Sequence, residues 1–157
     1  MRSKRFVLDA NIWVSYFISN QQDVITEIIF RNKISIIYCT ELITEISRVL
    51  NYPHLAKRNV NIKEAVLFIR QIGVFYNLQY PIKNYIPEDQ DDNYIIALAL
   101  QTNAGFVTSG DKHILSQKES LQLKYPKLQI ISKSVFEEMF AWGSDPPQKT
   151  RLWLFNL

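Results

Sequence analysis

The chain has 157 residues, 47% apolar and 21% charged, which is the make-up of one compact domain and excludes two large ones. At this length about 70% of the unfolded surface is buried on folding, so neither a disulfide nor a structural metal is needed to fold. The net charge of +3 lies wholly after Asp111, where Lys112 to Leu157 carries seven basic and four acidic residues; it permits a polyanionic partner without indicating one. In chain order, the basic Met1 to Arg5 leads into an apolar stretch that meets Asp9 too soon to be a signal peptide, and no run approaches a membrane span, so a cytoplasmic protein is expected. Phe6-Val7-Leu8 reads as a buried strand, and Ile12 to Ile18 opens a helical stretch. Val24, Ile25, Ile28 and Ile29 share a helix face up to about Arg31, and Ile34 to Cys39 returns as a strand, implying a parallel crossover. Cys39, the one cysteine, reads as a buried reduced thiol with no redox role.

Thr40 is expected to cap a helix striped by Leu42, Ile43, Ile46, Val49 and Leu50 and ended by Pro53. Asn61 and Glu64 form a capping-box pattern before Ile62, Ala65, Val66, Ile69 and Ile72, with Gly73 as the stop. Phe75 to Tyr80 fits an edge strand before Pro81. The acidic loop 88–92 leads into Tyr94 to Leu100, apolar on nearly every face and therefore buried, with Gly105 as the break. Phe106-Val107-Thr108 reads as a third core strand, and Ser109-Gly110-Asp111 turns out of it towards Ile114 and Leu115. A strand at Leu128 to Ile131, a helix near Val135 to Trp142 begun at Ser132 or Ser134, and a tail after Pro146-Pro147 complete the chain. The alternation predicts an α/β three-layer sandwich, Rossmann-like, around a mostly parallel sheet, with ligands beyond the carboxyl ends of the strands. The expected division is a domain over 1–145 and a tail over 146–157.

Four acids stand where buried elements meet strand-end loops. Asp9 and Asp111 follow core strands, Glu45 borders an apolar helix stripe while Glu41 turns further towards solvent, and Asp92 heads the apolar helix. Helix capping, turn formation or a solvated carboxylate explains each of them singly. Gathered in one cleft they repel, and a hard divalent cation such as Mg²⁺ or Mn²⁺ resolves the repulsion; Zn²⁺ calls for His and Cys ligands that are scarce here. With four acids offset by metal, 18 basic residues face 11 acidic, which suits phosphodiester chemistry.

The sequence resembles PIN-domain proteins, a family of Mg²⁺-dependent ribonucleases, and most of all the branch of toxins from toxin-antitoxin pairs. Val7 to Ser15 matches the opening strand motif, and Thr44 to Leu50 followed by Pro53 matches the helix with the family's glutamate. Asp89 to Ala99 resembles the third motif and Ser109 to Leu115 the fourth, so the likeness covers about residues 5 to 138 in order. It implies metal binding and catalysis by Asp9, Glu45, Asp92 and Asp111, support from Asn11 and Ser109, and an extra acid at Asp89. Ala10 in place of the usual Thr and His113 in place of the frequent Asp depart from the pattern, bearing on activity rather than fold. The implied protein is an endoribonuclease acting on single-stranded RNA, paired with a small antitoxin, forming a homodimer and binding no membrane. The alternative is a PIN-like module that binds RNA or protein without catalysis. A phosphoacceptor receiver domain fits worse, because only one acid follows the first strand and Glu45 has no role there. His54, His113 and Lys112 read as bystanders, and Trp153, Phe155 and Leu157 are available for packing.

Overall fold

The computed structural model describes residues 4–140. The predicted reach of the last helix to Trp142, the tail and the boundary at 145 fall outside that range. Five strands form one all-parallel sheet in the order β3-β2-β1-β4-β5: β1 (Arg5–Leu8), β2 (Ser35–Tyr38), β3 (Val74–Phe75), β4 (Phe106–Thr108) and β5 (Gln129–Ile131). Successive strand residues point to opposite faces, and Phe6, Val7 and Leu8 are all at most 1% exposed, so helices cover both faces of the centre. The sheet is fully parallel rather than mostly so.

The helices are α1 (Ala10–Ile18), α2 (Gln22–Asn32), α3 (Thr40–Leu50), α4 (Pro53–Ala56), α5 (Ile62–Ile72), α6 (Asn93–Gln101), α7 (Lys112–Ser116), α8 (Lys118–Lys124) and α9 (Lys133–Phe140). Helix α6 packs on β1, β2 and β4, as its aliphatic surface requires. The register sets Phe6 opposite Phe106, their rings stacked at 4.7 Å, while Phe136 and Phe140 meet Phe6 edge-on. Such aromatic pairs add about 1 kcal/mol each beyond burial. They fasten β1 to β4, the two strands behind Asp9 and Asp111.

Local details differ from the sequence reading. Thr40 is the first residue of α3 rather than its cap; Cys39 occupies the cap position and makes no side-chain capping bond. Pro53 opens the one-turn α4, where its missing N–H costs nothing. The strand expected over Phe75 to Tyr80 pairs only at Val74 and Phe75. Asn103, at φ 55°, turns the chain after α6; Gly105 instead continues the ladder, donating to Arg5 O and accepting from Gln129 N. Ser132 begins α9, its hydroxyl accepting from Val135 N at 3.2 Å. Asn61 caps α5 as expected, accepting from Glu64 N at 3.1 Å.

Gly73 ends α5 for a different reason from the common left-handed cap, since its φ is −92°. A Cβ there would lie 2.7 Å from the Tyr38 ring and 2.8 Å from Ile69 O, so glycine is needed for close approach. Gly73→Ala is expected to destabilise by about 1–3 kcal/mol. Gly110→Ala, whose Cβ would meet only Asn11 Nδ2 at 3.5 Å, serves as the neutral control, and urea unfolding of the two variants measures the contrast.

Candidate metal centre

The sheet order reverses between β1 and β4, and the crevice beyond their carboxyl ends is where such folds bind ligands. Asp9 leaves β1 at this crevice. Its N–H extends the ladder to Thr108 O at 2.9 Å, its Oδ1 accepts from Ala10 N at 2.7 Å, and its Oδ2 accepts from the buried Ser109 hydroxyl at 2.7 Å. Ser109 Oγ in turn accepts from Asp111 N at 3.0 Å, so one hydroxyl ties the two strand ends together. Asp111 Oδ1 caps α7, accepting from His113 N at 2.8 Å and Ile114 N at 3.3 Å.

Asp9, Glu45 and Asp92 each present a carboxylate oxygen within 4.8 Å of the others. Asp111 does not join that trio. It groups with Asp89 and His113, whose ligand atoms are likewise within 4.8 Å of one another. The single cluster of four acids expected from the sequence is thus two adjoining trios, because the cap on α7 holds Asp111 to its own side. Asn11 is exposed, with its amide beside Gly110 and, among the described residues, no hydrogen bond to either trio.

Three contacts escaped the sequence reading. The Tyr94 hydroxyl donates to Glu45 Oε2 from within α6; a phenol in an otherwise aliphatic run was the available signal. His113 Nδ1 lies 3.3 Å from Asp89 Oδ2 and 3.9 Å from Asp111 Oδ1, so this histidine is part of the second trio. The buried Asn93 accepts from Ile86 N at 2.7 Å and donates to Asn84 Oδ1 at 3.0 Å, pinning the acidic loop that carries Asp89 and Asp92.

Burial, opposed by the bonds from Ser109 and Ala10, pushes the Asp9 carboxyl up to about 6; the charges of Glu45 and Asp111 add to the rise. Asp92 is pushed up to about 8, by burial first and then by the charges of Asp9, Asp111 and Asp89. Its Oδ2 is buried with no hydrogen-bond partner among the described residues. Solvent cannot neutralise Asp9 and Asp92, which are only 4% and 5% exposed. An all-oxygen set with an orphaned buried oxygen fits a hard divalent cation.

The sequence model of the PIN domain family matches residues 5–113, more than half of the chain. The chain belongs to the PIN domain family. No curated protein matches it. PIN domains are generally nucleases and typically use divalent metal ions, so membership supports a hydrolase acting on nucleic acid. Among the described residues of this PIN domain, no helix is long and apolar enough to cross a membrane.

The raised carboxyl groups set a pH dependence for the metal-free protein. A carboxyl with a higher pKa folded than unfolded binds more protons in the folded state, so its stabilising effect is complete below about pH 4 and is lost as pH rises through 6 for Asp9 and 8 for Asp92. Melting in EDTA is expected to fall by roughly 5 °C or more between pH 5 and pH 8. Adding Mn²⁺ flattens the decline, and Asp92→Asn reduces it without metal. A metal-free profile that rises over this range contradicts the burial argument.

Proposed function

We propose that this PIN domain is a Mg²⁺- or Mn²⁺-dependent endoribonuclease of single-stranded RNA, acting in the cytoplasm as the toxin of a type II toxin-antitoxin pair. The observation that carries the enzymatic part is the set of buried, converging carboxylates with Asp92 Oδ2 unpartnered. Asp9, Glu45 and Asp92 would hold one ion, and Asp111, with Asp89 beside it, flanks that position or holds a second. A divalent cation there supplies a water of lowered pKa and positive charge for the attacked phosphate and its leaving oxygen.

The chain's own groups set the stage for that chemistry. Ser109 and Ala10 N–H each engage one oxygen of Asp9, fixing its carboxylate plane and favouring its charged form. The Tyr94 hydroxyl likewise orients one oxygen of Glu45, the least buried of the first trio. Such contacts, one step removed from a metal, govern the orientation of its ligands. With the four acids offset by metal, the basic surplus of the remainder suits the polyanionic substrate. The toxin role, a small antitoxin partner and a homodimer are supported by the four-motif resemblance to that branch. A non-catalytic RNA binder would be better served without buried carboxylates facing phosphate.

Purified protein is expected to cut labelled single-stranded RNA with Mg²⁺ or Mn²⁺ and to stop in EDTA. Asp9→Asn should lose at least about 100-fold in rate, and Ser109→Ala about tenfold through misorientation of Asp9. Induced expression should arrest bacterial growth for the parent chain and not for Asp9→Asn. Equal cleavage by parent and Asp9→Asn overturns the nuclease reading, and cleavage without growth arrest overturns the toxin role.

A further inference from the structure

A groove of about 380 Å³ runs beside the first acidic trio, its lining including Glu41, Thr44, Glu45, Arg48, Asp91 and Tyr94. Glu45 belongs to both the groove and the trio, so a group seated in the groove lies next to the acidic centre. Its volume is in the range of small-ligand sites. Among the described lining residues Arg48 is the one cation, against three carboxylates, which makes the groove a poor home for a phosphate and a good one for a group that donates hydrogen bonds. Aromatic rings contact two of its lining residues. Arg48, 60% exposed at its side chain, lies over the Tyr52 ring at 5.7 Å, and Tyr80, 64% exposed, donates its hydroxyl to Glu41 Oε2.

Guanidinium and aromatic planes stack unpaired bases, while carboxylates accept from the N–H donors on base edges. Resting on the nuclease reading, we infer that this groove is a base-recognition subsite for the nucleotide flanking the scissile phosphate, selecting guanine. Guanine places two adjacent donors, N1–H and the N2 amine, on its Watson–Crick edge, and a carboxylate such as Glu41 accepts both. Tyr80 and the Cys39 thiol engage Glu41, and a carboxylate has about four lone-pair sites, so acceptor capacity remains. Adenine and cytosine offer one amine each and rank below guanine. Uracil, whose single N–H sits between two carbonyls that face the carboxylates, ranks last.

Uridine pentamers carrying G, A, C or U at the centre, fluorescently labelled and joined by phosphorodithioates, whose non-bridging sulfurs Mg²⁺ binds poorly so that cleavage is suppressed, are bound to the full chain in Mg²⁺ and followed by anisotropy. The parent is expected to favour the guanine pentamer over all-uridine by about tenfold, the scale of one well-made polar contact. Glu41→Gln, close to isosteric, should collapse that ratio to about one, and Tyr80→Phe, which frees Glu41 of one partner while keeping the ring, should retain a ratio above threefold. Equal binding of the four pentamers, binding of none, or a ratio that survives Glu41→Gln overturns the inference. Unmodified pentamers separate the two readings: guanine preference in binding without cleavage removes the nuclease and leaves the subsite, whereas cleavage without preference does the reverse.

Discussion

The Asp9 carboxylate is the constraint on which the centre is built. It sits 4% exposed at the end of the middle strand, close to Glu45 and Asp92, in surroundings that favour its neutral form. Two short hydrogen bonds hold it there, and one comes from Ser109, a residue of the neighbouring strand end. Its position is therefore secured by the pairing of β1 with β4, and that pairing in turn relies on stacked Phe6 and Phe106. Packing deep in the sheet and charge placement at its edge are one problem in this molecule.

The core was largely legible because short apolar runs separated by helical periodicity leave few alternatives. Phe6 to Leu8, Ile36 to Tyr38 and Phe106 to Thr108 are strands in both readings, and the apolar surface of α6 is buried as its composition demands. What escaped depends on contacts distant in sequence. Nothing local to Gly73 reveals that the Tyr38 ring occupies the space of its missing Cβ, and nothing local to Thr40 shows that α3 starts one residue too early for it to cap. Helix α8 escaped because Leu121 is its one buried residue, too little to mark a stripe. The acids were legible individually, while their arrangement was not: whether Asp111 turns towards Asp92 or caps α7 is decided by turn geometry after β4.

Division into two trios changes the chemistry available. The first is made of carboxylates alone and is mostly buried, so its charge has to be met by protons or by a cation. The second, with His113 and more solvent, tolerates its charge more easily. Asp92 feels Asp89 and Asp111 as well as Asp9, so occupation of one trio by a cation is felt electrostatically in the other. The Tyr94 and Ser109 hydroxyls each secure a first-trio carboxylate from an adjoining segment, and the bonds made by Asn93 keep the loop of Asp89 and Asp92 in place.

The bond between Asp9 and Ser109 spans 100 positions of the chain. Asp9 is translated within the first dozen residues, Glu45, Asp89 and Asp92 follow with the middle of the chain, and Ser109, Asp111 and His113 come only after the fourth strand is made. A growing polypeptide on the ribosome, even with its first two strands and α3 folded, has no assembled pair of β1 and β4 strand ends. The acidic centre of this PIN domain is in this way completed only once most of the chain has emerged.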